Sequence, residues 1–228
     1  MKKTVILTVV VILVAGGRAN ADLLWESGHH VFSEGYEKIV TMNNDASADI
    51  TGGRIGALMM NNLAKADVTG GTISEFVMSD STKANVSGGW IGIMACEDTS
   101  ISNIYTGSTI ELLRPDISGV TNVYGGDIDQ IFALGSSVAN IYDASLSKLD
   151  AVNLSEVNLH VKNYHYNPTG GSYSGGLLTG NWLGSGNNFS IELFEGTIDH
   201  INFVPEPCSF ILLTLSSFIL YKRKNNVR

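Results

Sequence analysis

The stretch DITGGRIGALMMNNLAKADVTGGTISEFVMSDSTKANVSGG, residues 49–89, decides the fold. Within it DITGG (49–53), DVTGG (67–71) and NVSGG (85–89) recur every 18 residues. Self-similarity at a fixed period of this length marks a repeat architecture. Further copies are looser. NIYTG starts at Asn103, NVYGG at Asn122, NIYDA at Asn140 and NLHVK at Asn158, and the steps from Asn85 are 18, 19, 18 and 18 residues.

Four apolar columns run through the copies. The first is Ile50, Val68, Val86, Ile104, Val123, Ile141, Leu159, and the second is Ile55, Ile73, Ile91, Ile110, Ile128, Leu146. The third is Leu58, Phe76, Met94, Leu113, Ile131, Leu149. The fourth starts as Met60, Met78, Cys96 and fades through Pro115 to Ala133 and Ala151. A Gly-Gly pair separates the first two columns at 52–53, 70–71, 88–89 and 125–126. Alternation around the first column is the period-2 signature of a strand. Paired glycines supply the positive φ of a sharp corner. Each copy therefore reads as strand, glycine corner, second strand and polar turn, as in Ser79-Asp80-Ser81-Thr82.

One such copy cannot bury its apolar face alone. Equivalent strands stacked about 4.8 Å apart build a continuous core. The expected fold is all-β: a parallel β-solenoid of about 18 residues per coil and about seven rungs, roughly 30–35 Å long. Its handedness is open. Before the first apolar column stands Asp49, Asp67, Asn85, Asn103, Asn122, Asn140, Asn158. Stacked Asn side chains form a hydrogen-bonded ladder. The competing reading is a calcium ion between the carboxylates of Asp49 and Asp67. GGRIGA and GGWIGI lack the Asp of the calcium-binding nonapeptide.

Residues 22–47 follow the repeat poorly and are expected to cap the first coil with Tyr36, Ile39 and Met42, because a bare solenoid end exposes strand edges. The repeats occupy 48–166. After Tyr166 the composition changes. LLTGNWL, FSIELFEG and TIDHINFV then read as three strands of a small antiparallel C-terminal cap, 167–203.

The two ends carry different signals. Lys2 and Lys3 precede a mostly apolar run from Val5 to Ala15, and Ala19-Asn20-Ala21 supplies an A-x-A site. This reads as a secretory signal peptide, residues 1–21, cleaved after Ala21. An uncleaved anchor is the alternative, although the run is short of the roughly 20 residues of a span. All 22 acidic residues lie between Asp22 and Glu206, against 7 of the 14 basic ones, a net charge of −15 for this body. Such a surface repels nucleic acid and anionic lipid. Two cysteines, Cys96 in the body and Cys208 in the tail, do not make a disulfide framework. Cys96 reads as a small buried apolar residue.

Residues 204–228 begin with Val-Pro-Glu-Pro and continue through 14 uncharged residues to Lys222-Arg223-Lys224. As a helix those 14 residues cover about 21 Å, against a hydrocarbon core of about 30 Å. Snorkelling of Lys222 and Tyr221 narrows the gap. A basic cluster belongs on the cytoplasmic side, which places the body outside. A buried C-terminal strand or helix is the other reading of the run.

This tail resembles the PEP-CTERM sorting signal in order, spacing and terminal position, over about 25 residues. The resemblance implies recognition by an exosortase-type membrane enzyme, removal of a hydrophobic transmembrane helix, and release to the cell surface or extracellular polymer matrix. Pro205, Glu206 and Pro207 would be the sorting motif read by that enzyme, and Lys222, Arg223 and Lys224 the basic stop. Cys208 departs from the pattern, since the family usually has a small residue or alanine there, and leaves open a lipid on the thiol. The body is also similar to repeat proteins of environmental bacteria that carry such tails, a resemblance that brings no known activity.

Candidate chemistry is sparse. His29-His30 and the pair His160/His165 could touch a metal, with Glu26 and Glu34 near the first pair, but neither pair has a recognised ligand spacing. Asp127 and Asp129 flank Ile128 and invite comparison with the paired carboxylates of polysaccharide-cleaving enzymes, yet no basic residue stands beside them. Arg54, Thr72 and Trp90 share one outer column with unlike side chains. No phosphate loop, nucleophile elbow or dinucleotide fingerprint occurs. The expectation is a non-enzymatic, exported surface or matrix protein with no catalytic, cofactor or metal residues. The alternative is a carbohydrate-binding or carbohydrate-active β-helix acting on extracellular polysaccharide.

Overall fold

The computed structural model describes residues 22–205. They form a parallel β-solenoid of about eight turns with the expected spacing of roughly 18 residues. In chain order the strands are β1 (Leu23–Trp25), β2 (His29–Phe32), β3 (Tyr36–Met42), β4 (Ser47–Ile50), β5 (Arg54–Met60), β6 (Lys65–Met78) and β7 (Lys83–Cys96). There follow β8 (Ile101–Ile104), β9 (Ser108–Pro115), β10 (Val120–Val123), β11 (Asp127–Ala133), β12 (Val138–Ile141) and β13 (Ser145–Ala151). The chain ends in β14 (Glu156–Asn167), β15 (Leu177–Trp182), β16 (Asn188–Leu193), a 3-10 turn at Thr197–His200, and β17 (Ile201–Val204). The Pro-Glu-Pro motif starts at Pro205, the last described residue. The signal peptide with Ala19 and Ala21, the expected C-terminal helix, Glu206, Pro207, Lys222, Arg223 and Lys224 lie outside the described residues.

Each coil contributes one strand to each of two faces. The first face stacks β2, β4, the front halves of β6 and β7, β8, β10, β12, the front of β14 and β17, all in parallel register. The second stacks β1, β3, β5, the rear halves of β6 and β7, β9, β11, β13 and the end of β16. β6 and β7 run unbroken through the corner and so belong to both faces.

All four apolar columns point inward. Ile50, Val68, Val86 and Ile104, then Ile55, Ile73 and Ile91, then Leu58, Phe76 and Met94, are all at most 1% exposed. Full burial of one such side chain contributes about 1.5–3 kcal/mol. The fourth column does not fade in space, because Pro115, Ala133 and Ala151 are as buried as Met60. Two inward columns of small residues complete the core: Ala46, Ala64, Thr82, Ser100, Ser137, Ser155, and Ala48, Ala66, Ala84, Ser102, Thr121, Ala139.

The corner explains the glycine pair. Gly71 has φ +85°, and a Cβ built on it would lie 2.7 Å from the carbonyl oxygen of Gly52 in the preceding coil. A side chain there would both strain the backbone and push two coils apart. At the opposite turn Asn44, Asn62, Asp80, Asp98 and Asn153 take positive φ, as Asn and Asp tolerate. Ile117 occupies the same left-handed position at φ 55° and is the β-branched exception.

The flanks differ from the sequence expectation. Residues 23–42 are regular rungs: Tyr36 pairs with Arg54, Val40 with Leu58 and Met42 with Met60. Tyr36 points outward, 49% exposed, while Glu37, Val40 and Met42 fill the inward positions. Trp25, 5% exposed, helps close this end. At the far end β14, β15 and β16 form the expected antiparallel sheet. The third expected strand is not part of that sheet. β17 returns to the solenoid and lies parallel on β14, with Ile201 opposite Val157 and Phe203 opposite Leu159.

The corner makes a direct prediction. Gly71→Val should lower unfolding free energy by about 3 kcal/mol or more, through positive φ and the clash with Gly52. Gly184→Ala, where a Cβ meets nothing within 4 Å, should stay within about 0.5 kcal/mol of wild type in the same urea titration.

Candidate functional site

The outward side of the first face carries two ladders. In the first, the Asn103 amide donates to Asn85 Oδ1 at 2.9 Å, Asn122 to Asn103 at 3.0 Å, Asn140 to Asn122 at 2.9 Å and Asn158 to Asn140 at 2.9 Å. Asn202 on β17 continues it, donating to Asn158 at 3.2 Å and, more closely, to Glu156 Oε1 at 2.7 Å. Every amide donates toward the N-terminus. The series ends where Asn85 donates to Asp67 Oδ1 at 2.8 Å, since a carboxylate accepts and cannot pass the ladder on. Asp49 turns instead to His29, whose Nε2 lies 3.3 Å from Asp49 Oδ2. The ladder reading is the one the geometry supports. No group of three metal-capable side chains occurs among the described residues.

Two residues beyond the Asn column stand Tyr105, Tyr124, Tyr142 and His160. Their rings stack along the axis with centroids 5.3, 4.8 and 4.0 Å apart and tilts of 13° to 19°. Stacking covers the ring faces and leaves edges to solvent. The stack begins at the 19-residue coil, whose extra residue lies between Ile104 and Ser108, because Val86 pairs with Ile104 but Gly89 with Ser108. Burial pushes the His160 imidazole below its ordinary pKa. His160 and His165 do not converge, since His165 sits farther along β14, opposite Thr179 of β15. His30 stacks on Trp25 at 4.7 Å and is held by the carbonyl of Ser27.

On the second face Arg54, Thr72 and Trp90 are in register as one outer column. Asp129 is not without a basic neighbour. Lys148, one coil on, donates to its Oδ2 at 3.1 Å, which raises the lysine pKa. The sequence reading missed this pair because its members are 19 residues apart. Cys96 is fully buried and free, as expected, and burial pushes its thiol pKa up. It also donates to Ser102 Oγ at 3.2 Å, which in turn shares a 2.9 Å hydrogen bond with Thr121.

A cleft of about 520 Å³ opens where the second face splits. β16 pairs with β13 only at Lys148–Glu192 and Leu149–Leu193. Its front half instead pairs with β15 and leans away from Ser145–Ser147. Trp182 Nε1 donates to the carbonyl of Ala144 at 2.9 Å and ties the cap to the solenoid beside this gap. Ser172 N donates to Glu192 Oε1 at 3.1 Å and orders the loop at its edge. No sequence signal marked this cleft, because it brings β13 beside residues from Gly171 to Glu192 that are distant in sequence.

No helix among the described residues is long and apolar enough to cross a membrane. No family model, curated protein or solved structure matches the chain.

Two predictions follow from the first face. Asn122→Leu removes a donor for Asn103 and an acceptor for Asn140, so it should cost about 1–3 kcal/mol in chemical denaturation, and Asn202→Ala at the ladder's end should cost less. The depressed His160 pKa means that the unfolded chain binds this proton more readily. Its contribution is therefore complete above the ordinary imidazole value of about 6.5 and is lost as pH falls toward the lower folded value. Asp150, pushed up by burial, acts in the opposite sense, so the comparison is between variants. His160→Tyr should show a smaller loss of stability than wild type between pH 7 and pH 5.

Proposed function

We propose that this chain is an exported surface or matrix protein in which the solenoid is a rigid, non-catalytic scaffold and the C-terminus is an address. The observation that carries the reading is the Val-Pro-Glu-Pro, apolar run and Lys-Arg-Lys tail at 204–224. Its placement supports the same view. The last rung, β17, ends at Val204, and the motif begins at Pro205 with no linker between them. Pro205 is exposed, as a residue read by another protein must be.

In this reading the N-terminal signal ending at Ala21 directs export and the apolar run holds the chain in the membrane. An exosortase-type enzyme then recognises Pro205, Glu206 and Pro207. The body, with its net charge of −15, is delivered to the cell surface or beyond. The ladders suit a scaffold role, because outward Asn and Tyr side chains engage their neighbours in the stack and stiffen it.

Cell fractionation with intact-mass measurement in the native host tests this. The expected product is an extracellular or surface body that starts after Ala21 and is trimmed near Pro207. A membrane-bound chain that retains Arg228 would overturn the sorting reading. Replacing Pro205, Glu206 and Pro207 by alanine should leave the body folded and block its release.

A further inference from the structure

We propose that the split between β13 and β16 is a saccharide site that takes a short pyranose oligosaccharide without acidic groups. It names a partner class for the surface role above. The cleft is built from residues 144–192 alone and is independent of the sorting tail.

The cleft has the composition that a sugar requires. A pyranose ring presents hydroxyls that both donate and accept, around a less polar C–H face. The rim offers the hydroxyls of Ser145, Ser147 and Ser190 and the amide of Asn188. Hydroxyls and amides serve either hydrogen-bonding role. Between them lies a narrow apolar strip, the half-buried Leu177 with the edges of Leu146 and Phe189, which otherwise point into the core at 5% and 6% exposed, and the C–H face would rest on it. Pockets for small ligands commonly combine such an apolar lining with a few polar groups. The volume of about 520 Å³ has room for a short oligosaccharide and lies within the usual range for ligand sites.

The charges select among sugars. Lys148 is the cation in the lining, and Asp129 already holds it at 3.1 Å. Glu192 accepts from Ser172 N through Oε1, and its second oxygen is left for a ligand hydroxyl or ammonium. A uronate or phosphate would meet Glu192 and a lysine already paired to Asp129, in an acidic body. Neutral and amino sugars would not. The aromatic stack on the first face is a poorer candidate, since its rings cover one another at 4.0 to 5.3 Å.

The test is calorimetric titration of the full chain, in a zwitterionic detergent, with cellotriose, the glucosamine trimer and trigalacturonate. Cellotriose or the glucosamine trimer should bind with a Kd below about 1 mM, and trigalacturonate should bind at least about tenfold more weakly. Ser147→Trp and Ser190→Tyr fill the cleft from exposed strand positions. Each should weaken binding at least about tenfold while thermal unfolding stays as in wild type. Either variant alone suffices if the other fails to fold. The proposal is overturned if no trimer binds, if trigalacturonate binds as well as the others, or if the folded variants bind as tightly as wild type.

Discussion

One coil lies a strand's width from the next, and the backbone must come that close all the way around. This spacing governs everything else in the molecule. Main-chain hydrogen bonds join coil to coil even in the turns, as where Ser79 N meets Met60 O at 2.9 Å and Ser81 N meets Asn62 O at 3.0 Å. At the corner the demand is strictest, and there only glycine lets Gly71 pass the carbonyl of Gly52. Once the spacing is set, residues 18 apart become neighbours whether or not they suit one another. The Asn ladder and the tyrosine stack are what suitable neighbours look like under that rule.

Departures from the rule produce the molecule's individual features. A single extra residue near Tyr105 is absorbed at a corner, and the strands on either side keep their inward and outward faces. The larger departure is the return of β16 to β13 for two paired positions only. That incomplete rung leaves a gap between strands otherwise packed side by side. Strand divergence is also where open α/β sheets place their ligands, although the fold here is unrelated.

The repeat was legible because large aliphatic side chains recur at its inward positions. Ile55, Ile73 and Ile91 announce themselves. The two small columns do not, because Thr82 and Ser102 are polar and Ala66 is too small to stand out, and yet all three are buried. The N-terminal rungs were hidden for a related reason. Glu37 occupies the place of Ile55, and Val31 stands outward where later coils have Asp or Asn. At the other end β17 rests on β14 after a detour through two further strands, and no local pattern marks the return. The acid–base pair of Asp129 and Lys148 and the cleft beside it arise wholly from stacking.

A repeat this regular invites a particular error during folding, in which a coil docks one step out of place. Neighbouring coils with the same inward residues would accept such a slip at small cost to the core. Asp67 opposes it. Its carboxylate has no hydrogen to give, so it fits only at the start of the ladder. Moved one step inward, it would leave the next acceptor without a donor and set a charge among amides. A single change from amide to acid thus acts as an index mark, telling otherwise interchangeable coils where to begin counting.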